Sequence, residues 1–389
     1  NSVTLFNIQG TIYKKLGDFD SAIESYQKAL KINPDYAEIY YNMGATLNAK
    51  GDLEAAIESY QKALKIKHDF TEAYNNLGNA MQQKGELGAA IDNYQKAIDI
   101  NPEHAEAHNN LGTALQQKGD LEAAIVSYQQ AIKFKPDYVE SYNNIGNAMY
   151  EKGDLDASIE GYKKAIKIDP DCAEAYNNIG VAFHYKDDLK AAIENFKEAL
   201  KIKPDYAEAH NNLGLAIKGE RNLEAAIESF NKALKINSDY AEAHNNIGMT
   251  LFEKGEVAEA VEAHKKAVSI DSHNAQLYSN ILFPMRILAS KSPVSEDPIY
   301  SLKGKLGASQ FIDEQLGLLK YKIHLGTPAA EAYFNEAIDL ISQGSKLSIA
   351  NPDPGTGEHK GSITLQEDII ALQHFGRSGT GLLHSLLDG

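Results

Sequence analysis

Two sets of residues in this 389-residue chain could do chemistry. The first is the run Gly376-Arg377-Ser378-Gly379-Thr380-Gly381. Its glycines let backbone N–H groups converge, Ser378 and Thr380 add hydroxyl donors, and Arg377 can make charge-assisted bonds to phosphate or sulfate oxygens. The mostly apolar stretch 368–375 before it reads as a short strand, and 382–387 after it begins a helix. That order aims a helix N-terminus at the same anion. The loop lacks the Gly-Lys-Ser/Thr ending of an ATPase phosphate loop and the glycine spacing of a dinucleotide fingerprint. Thr380 occupies the last Gly position of a nucleophile elbow.

The second set is an asparagine series: Asn42, Asn76, Asn110, Asn144, Asn178, Asn212 and Asn246, each 34 residues after the last. All but the first are preceded directly by another Asn, at 75, 109, 143, 177, 211 and 245. A side-chain amide both donates and accepts, so a ladder of them can pair with an extended peptide backbone without reading its sequence. Bonding between neighbouring repeats is the competing use. Glu38, Glu72, Glu106, Glu140, Glu174, Glu208 and Glu242 lie four residues earlier, one helical turn away. They make either an acidic groove for basic or neutral peptides or complements to a helix dipole.

Other reactive side chains carry less. His108, His210 and His244 stand where other repeats place Tyr and read as packing substitutes. No His or acidic cluster has metal-ligand spacing. The lone Cys172 has no partner for a disulfide, which fits a reduced, cytoplasmic setting. Gly355 and Gly357 have no strand before them, so phosphate binding is not expected there.

The elements that must position these residues follow from the 34-residue period. Gly10, Gly44, Gly78, Gly112, Gly146, Gly180, Gly214 and Gly248 keep it, as do Ala29, Ala63, Ala97 and their successors to Ala267. The aromatics Tyr26, Tyr60, Tyr94, Tyr128, Tyr162, Phe196 and Phe230 keep it until His264 breaks the series. Each unit predicts two short helices. In the second unit these span 37–49 and 53–66, separated by a Lys-Gly-Asp turn. One such pair cannot bury its apolar face alone, so stability must come from stacking on neighbours.

These residues resemble the tetratricopeptide repeat family, whose signature is an aromatic, a Leu-Gly pair, an Ala, an aromatic, an Ala and a Pro. The resemblance covers about 3–274 as eight repeats, followed by a ninth first-helix over 275–283. Departures are local: Gln9 at a core Leu position, Asp187 and Arg221 in place of the turn Gly, Ser158 in place of a packing Ala. It implies an all-α, right-handed superhelix whose first helices line a concave face that binds a protein or extended peptide. The asparagine series is similar to the ladder of O-GlcNAc transferases. The Lys-rich clamp by which some family members grip chaperone C-termini is absent. Groove positions after the Gly differ between units (Asn79, Gln82 and Gln83; Thr113, Gln116 and Gln117; Tyr150 and Glu151; His184 and Tyr185; Lys218; Phe252), and selectivity would lie there.

After Pro284 the repeat pattern ends. Residues 290–298 read as a linker, and helices are expected over about 308–325 and 329–343. The segment 368–389 looks like the 5′-phosphosulfate loop of PAPS-dependent sulfotransferases of the tyrosylprotein type. That resemblance makes PAPS the expected cofactor. It implies that Arg377 holds the phosphosulfate, that Gly379 permits close backbone approach, and that Ser378 and Thr380 supply hydroxyls, within a loop bounded by Gly376 and Gly381. Gly381 replaces an expected second Thr. The organisation expected is therefore a solenoid over 1–283, a linker with bridging helices over 284–362, and the first strand, loop and helix of a truncated α/β domain over 363–389. The chain starts inside a repeat without Met and stops within the last helix, as a piece of a longer protein would. No catalytic base is assignable, so this piece is expected to be inactive as a sulfotransferase. A pure scaffold and, less favoured, an O-GlcNAc-type glycosyltransferase are the alternatives.

Charge and hydropathy bound the classes. Lys plus Arg number 38 against 54 Asp plus Glu, a net charge of −16, which argues against nucleic acid as a partner. No apolar run approaches the ~20 residues of a membrane helix, so no membrane partner is expected.

Overall fold

The computed structural model describes residues 2–272 and, beyond them, Asn274, Gln276, Leu277, Asn280 and Pro284. Among these residues the chain is all-α, with sixteen helices and no strand. The Cα packing forms two compact units, Asn1–Pro204 and Asp205–Gly389. The first holds six helix pairs: α1 (Ser2–Lys15) with α2 (Phe19–Ile32), α3 (Ala37–Lys50) with α4 (Leu53–Ile66), α5 (Thr71–Gln83) with α6 (Leu87–Ile100), α7 (Ala105–Gln117) with α8 (Leu121–Phe134), α9 (Val139–Glu151) with α10 (Leu155–Ile168), and α11 (Ala173–Tyr185) with α12 (Leu189–Ile202). The second holds α13 (Ala207–Gly219) with α14 (Leu223–Ile236), and α15 (Ala241–Lys254) with α16 (Val257–Ile270). The expected helices of the second repeat fall within one residue of α3 and α4. The expected bridging helices and the strand, loop and helix around residues 376–381 lie outside the described residues.

Local chemistry sets the boundaries. Most second helices are capped by the acid or amide that ends the turn: Asp52 Oδ1 accepts from the Ala55 N–H at 3.1 Å, and Asp18, Asp120, Asp154, Asp188 and Asn222 do the same one repeat at a time. The first helices end in a left-handed residue, Gly51 at φ 90° in the second repeat. Asp187 and Arg221 adopt φ 61° and 63° at the corresponding turns, a conformation L residues enter at a cost.

Each pair closes on one contact. Tyr60, buried to 1%, lies against Gly44, and Ala56 and Ala63 are fully buried beside it. At Gly112 an added Cβ would sit 2.6 Å from Tyr128 Cε1, so the aromatic ring occupies the room the missing side chain leaves. The same clash explains why glycine keeps the 34-residue period: it is the counterpart of the aromatic 16 residues later.

Candidate functional site

From the third repeat to the eighth the asparagine doublet sits on the first helix, the first member buried and the second half-buried in most of them. Within the first unit the second member donates to the preceding repeat. Asn42 Nδ2 reaches Asn7 Oδ1 at 3.1 Å, Asn110 reaches Asn75 at 3.0 Å, and Asn144 reaches Asn109 at 3.1 Å. Asn178 reaches Asn147 Oδ1 at 3.2 Å and Asn143 Oδ1 at 3.5 Å. Asn76 donates instead to the Tyr41 hydroxyl at 3.0 Å, because Tyr41 stands at the doublet's first position in that repeat. In the second unit Asn246 donates to Asn211 Oδ1 at 2.9 Å, and Asn212 lies half-buried on α13.

The buried member passes the chain of bonds forward. Asn75 donates to Glu106 at 3.0 Å, Asn109 to Glu140 at 3.2 Å, Asn143 to Glu174 at 2.8 Å and Asn211 to Glu242 at 3.3 Å. The recurring Glu therefore does more than complement a helix N-terminus: its carboxylate accepts from the repeat before it. Two residues belong to this network that the sequence reading passed over. Asn7 lacks a doublet partner because Ile8 follows it, and Asn280 sits in a ninth unit whose Gly is Leu282. Asn280 nonetheless donates to Asn245 Oδ1 at 3.0 Å. The 34-residue register alone would have found both.

Asn42, Asn76, Asn110, Asn144, Asn178 and Asn246 each commit an N–H to this network. The Oδ1 atoms of Asn42, Asn76, Asn110 and Asn144 accept no hydrogen bond among the described residues. Asn76 and Asn110 also line a cleft of ≈ 520 Å³ in the first unit. Seven of its lining side chains are amides: Asn48, Asn76, Asn79, Gln82, Gln83, Asn110 and Gln117. Thr113, the edge of Tyr60 and Glu140 complete its polar wall, and no Lys or Arg lines it. Gln82 and Gln117 bond to each other at 2.9 Å, linking the last turns of α5 and α7. Burial holds the Tyr60 phenol above its ordinary value and that of Tyr128 at about 12, so both keep their protons at neutral pH.

Further along, Tyr150 and the exposed Tyr185 meet edge to face at 5.5 Å, so the variable positions change from amide to aromatic within the same unit. His108 and His244 occupy the Tyr positions; each ring bonds a backbone oxygen, His108 that of Pro102 and His244 that of Ser238. Burial pushes the half-buried Cys172 thiol up, away from thiolate chemistry. No group of His, Cys, Asp or Glu among the described residues is arranged to hold a metal, and none of their helices is long and apolar enough to cross a membrane. The expected cofactor loop, Gly376 to Gly381, lies outside the described residues.

Sequence models described as TPR repeat match residues 10–48, 46–85, 82–119, 114–153, 146–187, 182–219 and 222–253, and one described as Tetratricopeptide repeat matches 241–274. The chain belongs to the tetratricopeptide repeat family. Among solved structures it is similar to MamA, at 35% identity over 42% of this chain and 96% of that one, TM-score 0.40. It is also similar to YrrB, described as a TPR protein with an unusual peptide-binding site, at 28% identity over 48% and 96% of the two chains, TM-score 0.40. A tetratricopeptide repeat protein from Parabacteroides merdae shares the fold at TM-score 0.53 and 19% identity, over 64% of this chain and 99% of that one. No curated protein matches the chain.

Proposed function

We propose that the repeats form a binding module for an extended, neutral or basic polypeptide segment, held by side-chain amides on the first helices. The observation that carries this is the amide-lined cleft, with open acceptors on Asn76 and Asn110 and no cation to receive a carboxylate or phosphate. Tetratricopeptide repeats typically serve as protein-interaction modules, and the peptide-binding site named for YrrB supports the same reading. The ladder Asn42, Asn76, Asn110, Asn144, Asn178, Asn212 and Asn246 then does two jobs, joining repeats through one N–H and offering the rest of the amide to the ligand. The test is recovery of N-acetylated, C-amidated nonapeptides from a random library by immobilised chain 1–389. Asn110→Ala with Asn144→Ala is expected to cut recovery about thirtyfold, two hydrogen bonds at roughly 1 kcal/mol each. Unchanged recovery would make the ladder purely structural.

The finer reading places this module ahead of a cytoplasmic sulfotransferase-like domain that uses PAPS, with Gly376, Arg377, Ser378, Gly379, Thr380 and Gly381 as its phosphosulfate loop. What supports it is the residue pattern of that loop between an apolar stretch and a helix-forming one. Calorimetric titration of 1–389 with 3′,5′-ADP tests it: weak binding abolished by Arg377→Ala is the expected result. Heat that is absent, or that survives Arg377→Ala, favours a scaffold without nucleotide chemistry.

A further inference from the structure

We infer that the cleft in the first unit contains a seat for a primary carboxamide, the side chain of an Asn or Gln within the bound peptide, formed by Asn48 and the Tyr60 hydroxyl. The inference rests on the peptide-binding reading above and adds a side-chain preference to it.

The later Tyr-bearing repeats satisfy the aromatic hydroxyl internally. The Tyr94 hydroxyl lies 2.7 Å from both Asn79 Oδ1 and Gln82 Oε1, two acceptors for its one proton. Tyr128 reaches Gln116 Oε1 at 2.8 Å, and Tyr162 reaches Asn147 Oδ1 at 2.8 Å. The second repeat departs from this at both partner positions. Ala45 replaces Asn79, removing one acceptor, and Asn48 replaces Gln82 and Gln116 with a side chain one methylene shorter. The Tyr60 hydroxyl is left without a hydrogen bond among the described residues. Asn48 Oδ1 is buried and accepts none either. Both residues line the same cleft.

A buried amide oxygen without a donor is a standing cost that a ligand can relieve. Turning the Asn48 amide about its last side-chain bond breaks no protein hydrogen bond, since that amide makes none among the described residues. The matching ligand group must donate to Oδ1 and accept from the same amide's N–H. A primary carboxamide does both through one pair of parallel bonds. A single trans peptide group holds its N–H and C=O on opposite sides, so backbone could match this pair only with a whole extended residue, and a side chain reaches the buried Asn48 Oδ1 where such a run does not. A carboxylate has no proton to give and finds no cation here, and an apolar side chain leaves Asn48 unpaired. An ammonium has no acceptor to meet the Asn48 N–H and would go to the Glu140 carboxylate instead.

The experiment compares wild type with Asn48→Gln in the nonapeptide selection described above. The longer side chain restores the bond seen at Gln82 and Gln116, filling the seat from within. Wild type is expected to enrich Asn and Gln at one peptide position by about thirtyfold over Asp, Glu and Leu, the worth of the two hydrogen bonds of that pair. Asn48→Gln is expected to lose that preference and to unfold about 2 °C higher. A preference that survives Asn48→Gln, enrichment of Lys or Arg instead, or a lowered unfolding midpoint overturns the seat alone. Recovery of no peptide by wild type overturns the peptide-binding reading along with it.

Discussion

His264 occupies the position that Tyr or Phe fills in every earlier repeat, and in the sequence it is only the residue that breaks a series. The structure places its ring against Gly248, buried to 1%, with Nδ1 3.1 Å from Asn245 Oδ1. Burial lowers its pKa from 6.5 to about 4. The sign follows directly. Between those values the unfolded chain binds a proton that the folded chain refuses. The stability is fully present above pH 6.5 and is lost as pH falls to about 4, on the order of 3 kcal/mol. We expect His264→Phe to flatten the fall in denaturation midpoint between pH 7 and pH 4.5. A slope as steep as that of wild type would place the acid sensitivity elsewhere. Burial lowers His244 as well, so a smaller slope should remain.

At the scale of the element, the turn between paired helices was legible because glycine, lysine and aspartate recur there. Its exceptions acquire meaning from backbone angles. Asp187 and Arg221 hold φ near +60° where Gly51, Gly85, Gly119 and Gly153 hold 82–90°. A side chain in that region costs roughly 1 kcal/mol. Asp187→Gly and Arg221→Gly should each raise the unfolding free energy by about that amount in a denaturant titration. A loss of stability in both would mean their side chains compensate the strain. Sequence reading marked both as departures, but it could not tell a strained left-handed turn from a turn that had changed type.

At the scale of the repeat array, neighbouring repeats of the first unit are joined by side-chain hydrogen bonds, and Asn109 shows how. It is buried to 1%, donates to Glu140, and accepts from Ser141 Oγ at 2.8 Å and Asn144 Nδ2 at 3.1 Å. One amide on α7 thus holds three residues of α9. In a repeat array the folding of one unit is coupled to the next chiefly through such contacts. Asn109→Ala should cost about 2–4 kcal/mol, since it leaves buried Ser141 without that acceptor and removes three bonds. It should also broaden the denaturation curve as the repeats on either side begin to unfold separately. A curve merely shifted, with unchanged steepness, would mean that apolar packing alone carries the coupling.

The 34-residue period by itself determined the helix pairs, their turns and the glycine–aromatic contact, because each is a local or nearest-neighbour rule repeated eight times. It also marked the asparagine series as special. Only the tertiary structure decided what those amides bond to, since an Asn pairs with whichever repeat is stacked on its face, and that partner lies 31 to 35 residues away. For the same reason the unmatched Asn48 and Tyr60 were invisible in the sequence: a missing hydrogen bond exists only once its neighbours are in place.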